Sequence, residues 1–326
     1  MDEQPTPITP TIITLVEYSP ELYHEKVVSD PVECLAPIPN RVIRWIDVEG
    51  TDPLAAVESL GGLVKLHPLA VEDICSPQRP KLDDYGNYVL IIFANIEQRQ
   101  EELLAEQVSL IVASNLLITV HTSSIASIKQ RRDRLRSGSG RSRSSGADYL
   151  AYSVMDGIVD HMTNLVEQVQ ENLEEFEEQL TKMDSKQSLH MIIEEKRQVL
   201  LLLKQLVPVV DVIAQLQRGH LSMFASTAPV YFRDLHDHGL HILDMIKNCR
   251  ELVGSMTMVY HSMANNRLNE VMKVLTIVAT TFAPITFITG YFGMNFHSLP
   301  LLDNPHGWMM ATGAMVVTAC GMLSFF

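Results

Sequence analysis

Cysteine is scarce in this 326-residue chain, and the four present, Cys34, Cys75, Cys249 and Cys320, sit far apart. None has the close spacing of a zinc or redox site, and Cys320 falls inside an apolar run, so the even count implies no disulfide framework. A glycine-rich phosphate-binding loop is also missing, which removes the usual sign of an ATP-driven machine. No nucleophile–base pair or catalytic motif stands out, so the chain is not read as an enzyme. Residues 1–10 are polar and proline-rich, without the apolar segment of a secretory signal, and none is expected. Positive charge is in deficit: 25 Lys and Arg against 39 Asp and Glu leave a net charge of −14. That balance favours cations as partners and argues against nucleic acid.

Charge is missing altogether from residues 274–292 and 307–326. Each run is about 20 residues, enough to cross a ~30 Å hydrocarbon core as a helix and longer than most buried soluble helices. On this reading only these two stretches reach membrane length. Arg267 and Lys273 lie before the first run, whereas residues 296–306 between the runs hold no Lys or Arg. The positive-inside rule then places the large N-terminal part in the cytoplasm, and a two-span hairpin returns the C-terminus to the same side. The expected location is the inner (cytoplasmic) membrane, multi-pass, with both termini cytoplasmic.

Ahead of the spans, residues 42–48, 88–93, 108–113 and 116–121 are apolar and β-branched, and Ser114-Asn115 marks a turn between the last two. Residues 53–60 and 67–74 read as helices, so residues 1–147 form an α/β domain. Six arginines lie between Arg131 and Gly146 among serines and glycines, without the aromatic platform that nucleic-acid binding would use. A mobile loop between a helix ending near Arg136 and one starting near Asp148 is the preferred reading. Residues 148–228 form an acidic helix pair: Leu165, Val169, Leu173, Phe176 and Leu180 recur at helical spacing, and a second helix over 188–206 ends near Pro208. Residues 229–292 form a stalk helix continuing as the first span. From 231 to 292 it is about 90 Å long at ~1.5 Å per residue, roughly three times the apolar thickness of a bilayer. Residues 293–306 are an extracytoplasmic loop and 307–326 the second span.

The run Tyr291-Phe292-Gly293-Met294-Asn295 closes the first span. It puts flexible backbone and a neutral amide oxygen at a membrane–water boundary, the groups a pore uses to hold a hydrated cation without trapping it. Behind it, Thr276, Ala279, Ala283, Thr286 and Gly290 recur at spacings of three and four, so one helix face carries only small or neutral residues. Such a face serves close helix packing, a narrow pore wall, or both in a ring of identical subunits. Continued back, it reaches Met272 and Asn269, with Leu275 adjacent, where apolar side chains would close a pore by dewetting.

With Gly-Met-Asn in this position, the chain resembles the CorA family of divalent-cation channels, the two-helix GxN superfamily. Trp45-Ile46-Asp47, His67-Pro68-Leu69-Ala70-Val71-Glu72-Asp73, Gln78-Arg79-Pro80-Lys81 and Glu106-Gln107-Val108-Ser109 are similar to recurring segments of that family's cytosolic domain. The resemblance implies a homopentameric funnel with an α/β cytosolic domain, a long stalk helix and two C-terminal transmembrane helices. It implies a selectivity ring of Gly293, Met294 and Asn295. Pore-lining roles follow by resemblance for Asn269, Met272, Leu275, Thr286 and Gly290, with Thr276, Ala279 and Ala283 on the same face. Ala283 replaces a methionine common in the family, so gating falls to Met272 and Leu275. The loop departs as well, reading Leu299-Pro300-Leu301-Leu302 where an acid is usual, which leaves Asp303 as its only negative charge.

Asp234 and His238, and likewise Asp237 and His241, stand four apart on a helix, where they can chelate a divalent ion or simply face solvent. The resemblance implies a regulatory intersubunit metal site at Asp156, Asp234 and His238, with Glu97 as the acid from the neighbouring copy. The expected activity is passive uptake of divalent cations, Mg²⁺ foremost, gated by cytosolic Mg²⁺. Mg²⁺ is both cargo and regulator, and no other cofactor is expected. No His or Cys occupies the proposed pore face, as a zinc or copper path would have it. Transport of Zn²⁺, Co²⁺ or Ni²⁺ by the same architecture is the alternative. A membrane-anchored scaffold or enzyme is the rival from another class.

Overall fold

In the computed structural model, residues 10–99, 102–138, 142–183, 185–218, 221–224, 228–294 and 305–325 are described. They divide between two compact units, Met1–Gln179 with His190–Gly254, and Leu180–Leu189 with Ser255–Phe326.

The first unit is organised by one seven-stranded sheet in the order β2-β1-β3-β7-β6-β5-β4. Its strands are β1 (Ile12–Tyr18), β2 (Tyr23–Val28), β3 (Ile43–Glu49), β4 (Lys81–Asp84), β5 (Val89–Arg99), β6 (Glu102–Ala113) and β7 (Leu116–His121). All neighbours are antiparallel except β3 and β7, which run parallel with Ile46 opposite Ile118. The β6–β7 hairpin turns at residues 114–115, as the Ser-Asn pair predicts. Strands β1, β2 and β4 have no counterpart in the sequence reading, and β5 and β6 are longer than it gives. The edge strand β2 alternates charged and apolar residues too weakly to stand out: Tyr23-His24-Glu25-Lys26-Val27-Val28.

One face of the sheet packs under α1 (Leu54–Gly61) and α2 (Pro68–Cys75): Ile13, Ile46, Leu90, Ile92 and Ile118 close against Val57, Leu60, Ala70 and Ile74. His67 begins α2 by accepting a hydrogen bond from the Leu69 amide, and Pro68 fills the first turn, where its missing N–H costs nothing. The four cysteines are free thiols.

The opposite face holds a polar network. Asp47 is 2% exposed, yet it accepts a hydrogen bond from Thr119 Oγ1 at 2.5 Å, and its Oδ1 lies 3.0 Å from His121 Nε2. Trp45 Nε1 donates to Thr119 Oγ1 at 3.0 Å, and Arg132 on α3 (Ala126–Ser137) reaches Asp47 at 3.5 Å. Burial alone would raise the Asp47 carboxyl and lower the His121 imidazole. The pairing outweighs burial, so Asp47 titrates lower than usual and His121 higher. A folded-state His value above the unfolded one means its stabilisation is complete below about pH 6.5 and is lost as pH rises through the raised value. Asp47 contributes in the other sense, its share being lost as pH falls through its depressed value. We therefore expect the parent to lose thermal stability as pH climbs above about 6.5, and His121→Gln to be flat there. Asp47→Ala, which strands a buried positive charge, should cost about 3–5 kcal/mol. A parent unfolding profile that matches His121→Gln across that range would contradict this.

Two long helices follow, α4 (Ala147–Leu180) and α5 (Ser185–Gln217). The expected stop at Pro208 does not occur, for α5 runs straight through it. Proline inside a helix costs about 3 kcal/mol, but Val209, Val210, Val212, Ile213 and Leu216 beyond it are all buried. Their burial, at about 1.5–3 kcal/mol each, outweighs one lost hydrogen bond. The arginines of the 131–146 stretch largely fold back onto the domain. Arg136 pairs with Glu25 at 2.7 Å, and Arg143 donates to the Leu135 carbonyl while lying over the Tyr23 ring. The connection contains a short 3-10 turn over Ser142–Ser144, and the partners of these arginines lie too far off in sequence to give a local signal.

The last two helices are α6 (Ala228–Phe292), which continues from the first unit into the second, and α7 (Gly307–Phe325). Pro284 lies inside α6 without ending it, as in membrane helices that re-satisfy the freed carbonyl locally. Where the sequence reading gives two stretches of membrane length, three helices among the described residues have the length and apolarity to cross a bilayer: α5, α6 and α7. Half of the α5 window is buried within the protein, against 6% for α6 and none for α7. Packing accounts for the apolarity of α5. Val274, Phe282, Phe287, Trp308, Val317 and Phe325 remain exposed in the other two, an apolar surface larger than water-facing proteins carry.

Candidate functional site

An aromatic cluster in the first unit sets α4 against the start of α6. Tyr152 meets Phe232 edge-on at 5.8 Å and Tyr231 at 5.2 Å, while Tyr149 meets Tyr231 at 5.3 Å. One turn beyond Tyr152 on α4 comes Asp156, and one turn further Asp160. The next turns of α6 bring His238. Asp156, Asp160 and His238 each offer a ligand atom, and these atoms lie within 4.8 Å of one another. Asp156 is half-buried, whereas Asp160 and His238 are exposed, so one side of the group opens to water.

The local chemistry suits a hydrated divalent cation. Burial and the neighbouring Asp160 raise the Asp156 carboxyl above its usual range, against the opposing pull of Arg131, a 3.3 Å hydrogen bond from Tyr152 Oη and the proximity of His238. A cation would relieve that strain between two acids. Two carboxylates and one imidazole supply hard oxygens with a single nitrogen, and the open side leaves room for the waters Mg²⁺ retains.

Of the four regulatory residues expected from the sequence, the single chain brings Asp156 and His238 together and leaves Asp234 and Glu97 outside the group. Asp234 is exposed on α6, and Glu97, at the far end of β5, accepts a hydrogen bond from Asn95 and lies 3.8 Å from Arg99. Asp160 was missed. Its signal was available, since Asp156 and Asp160 are four apart on a helix and share a face.

In the second unit the small-residue stripe forms one helix face. Asn269, Met272, Leu275, Thr276, Ala279, Ala283, Thr286 and Gly290 are all exposed. The less exposed positions of the span are Ile277, Thr280, Thr281, Pro284, Ile285 and Ile288, on the other side of the helix. The Thr276 hydroxyl donates to the Met272 carbonyl at 2.7 Å, and Thr280 and Thr289 bond their own helix in the same way. Each hydroxyl thus spends its proton inside the helix, as hydrocarbon requires, and keeps an oxygen lone pair for water or an ion.

At the end of α6, the Gly293 amide donates to the Thr289 carbonyl at 2.9 Å and the Met294 amide to Tyr291. A Cβ on Gly293 would stand 2.9 Å from that same Thr289 oxygen, so a larger residue must shift the turn that launches Met294. Asn295 and the loop through residue 304, including His297 and Asp303, lie outside the described residues.

A sheet domain, one long helix continuing beyond it, exposed apolar helices of membrane-crossing length and an acidic group able to hold a metal ion are features that a membrane protein handling cations would carry. The family model for the CorA-like Mg²⁺ transporter protein matches residues 40–326, and the chain belongs to that family. It is 34% identical over 318 residues to the cobalt/magnesium transport protein CorA of Thermotoga maritima, covering 96% of this chain and 90% of that protein. It is 24% identical to the zinc transport protein ZntB of Photorhabdus laumondii, over 68% of this chain and 67% of that one. The solved structure of the CorA magnesium transporter from Methanocaldococcus jannaschii shares the fold, with a TM-score of 0.82 at 24% identity and 97% of each chain covered.

Proposed function

We propose that this chain is a passive channel for divalent cations, Mg²⁺ foremost, built as a homopentamer in the inner membrane. The exposed stripe from Asn269 to Gly290 carries this reading, because its small and neutral face is left exposed among the described residues while the other side of the span is partly covered. Identical stripes meeting around an axis would line a pore, with Asn295 ringing its outer mouth and Gly293 and Met294 shaping the approach. Met272 and Leu275 form the apolar constriction that closes by dewetting. Hard oxygen donors and the lack of His or Cys on the stripe favour Mg²⁺ held through its own waters.

Asp156, Asp160 and His238, together with Asp234 and with Glu97 of the neighbouring copy, hold regulatory Mg²⁺ between subunits. Bound Mg²⁺ draws the acids together and keeps the pore shut; its loss lets them repel and loosens the ring. Asp234→Asn should weaken Mg²⁺-dependent protection of the N-terminal domain from proteolysis and leave ion selectivity unchanged. Altered Mg²⁺/Co²⁺ selectivity with unaltered protection would contradict that assignment. The ion itself is tested by flux into liposomes loaded with a divalent-sensitive dye. Mg²⁺ and Co²⁺ should enter readily, and Zn²⁺ entry in preference to Mg²⁺ would overturn the choice of ion.

A further inference from the structure

We propose that Arg131 is a built-in counter-cation to the Asp156–Asp160–His238 group, and that its fixed charge holds down the affinity of that group for a divalent ion. The proposal rests on the regulatory-cation reading above and concerns what sets its working concentration.

Arg131 projects from α3, outside the two helices that supply the ligands. Its Nη2 lies 3.1 Å from Asp156 Oδ2 and 3.6 Å from Asp160 Oδ2, and the side chain is only 7% exposed. Its Nε is buried and has no hydrogen-bond partner. The guanidinium is therefore held by shape on one side and by the two carboxylates on the other. The shape comes from Gly157: a Cβ there would stand 2.9 Å from Nε and 3.2 Å from Nη2. Glycine directly after Asp156 gives the guanidinium room to lie against α4 with its charge turned toward the acids.

Two ionised carboxylates with a neutral imidazole present a charge of −2 to an incoming ion, and Arg131 reduces it to −1. The arginine also donates to Asp156 Oδ2, which leaves that carboxylate fewer free lone pairs for an ion. A unit charge roughly 5 Å from a divalent ion changes binding on the order of tenfold even at a water-like dielectric. Both effects act in one direction, so the group answers only to Mg²⁺ concentrations well above those a bare acid pair would need. Arg131 acts through the carboxylates and is a positioning residue; it does not ligate the ion.

The test uses the full-length protein in detergent and reads the Mg²⁺ concentration giving half-maximal protection against proteolysis. Arg131→Gln should lower that midpoint about tenfold, and Arg131→Lys, which keeps the charge, should stay near the parent. Because the midpoint of Arg131→Gln reflects a more negative site, it should also rise more steeply with added KCl than the parent midpoint does. Gly157→Ala, which pushes the guanidinium off its seat, should move the midpoint in the same direction and carries the test if Arg131→Gln does not fold. A midpoint unchanged or raised in both variants, beside a parent that Mg²⁺ protects, overturns the role of Arg131. A parent that Mg²⁺ does not protect overturns the regulatory reading itself, and this inference with it.

Discussion

Asn295→Ala is expected to abolish Mg²⁺ uptake while leaving the assembled protein intact. Asn295 supplies the sole side-chain amide of the Gly-Met-Asn sequence, and in a ring every copy is lost at once. Hydrogen bonds to a charged partner contribute about 1.5–3 kcal/mol each. Losing two of them already lowers occupancy of the mouth by at least about 100-fold. Assembly should survive, because Asn295 follows the end of α6 at Phe292 in sequence and the substitution leaves both apolar spans unchanged. Gel filtration and flux on the same preparation separate the two effects. Parent uptake rates in an assembled Asn295→Ala protein would remove Asn295 from the filter.

Met272→Ser is expected to leave the channel leaking at high internal Mg²⁺, where the parent shuts. Met272 and Leu275 are exposed on the stripe face, Met272 one turn before Thr276 and Leu275 directly before it. Closing a pore there depends on apolar side chains that expel water, and a hydroxyl in the ring restores a hydrated path. The helix should tolerate the change, since the Met272 backbone carbonyl, not its side chain, accepts the Thr276 hydrogen bond. Flux measured with high Mg²⁺ trapped on the regulatory side decides the matter. If Met272→Ser closes as tightly as the parent, the gate lies elsewhere on the stripe.

The two predictions use parts of the molecule that the sequence reveals to different degrees. Helix α6 was legible almost to its ends, read as 231–292 and observed as Ala228–Phe292, because its signal is local: no proline between Pro229 and Pro284, few glycines, and a charge-free apolar run at the end. The stripe was legible for the same reason. The sheet order was not. The parallel pairing of β3 with β7 joins residues about seventy positions apart, with Arg44 opposite Leu116, and no local pattern encodes that. Pro208 misled because its rule is local, whereas the burial that overrides it is set by the fold.

The arginine-rich stretch was the least legible part. By composition it reads as a loop, yet Arg131 answers to Asp156, Arg132 to Asp47 and Arg136 to Glu25. Those partners are 25, 85 and 111 positions away, and only the folded chain shows which acids the arginines meet. The candidate metal group was half legible. Asp156 and His238 came from resemblance, while Asp160 could have been found from its four-residue spacing alone.

Divalent ions should pass down their own electrochemical gradient without a second energy source. One measurement tests it most directly: Mg²⁺ entry into liposomes holding the purified protein, driven by an inside-negative potassium diffusion potential with equal pH on both sides and no nucleotide. A divalent ion gains about 4.6 kcal/mol per 100 mV, twice the ~2.3 kcal/mol of a single charge. The account predicts entry that begins when the potential is imposed, grows with it and stops when it is collapsed. Entry that ignores the potential and appears only when a proton gradient is supplied would contradict it.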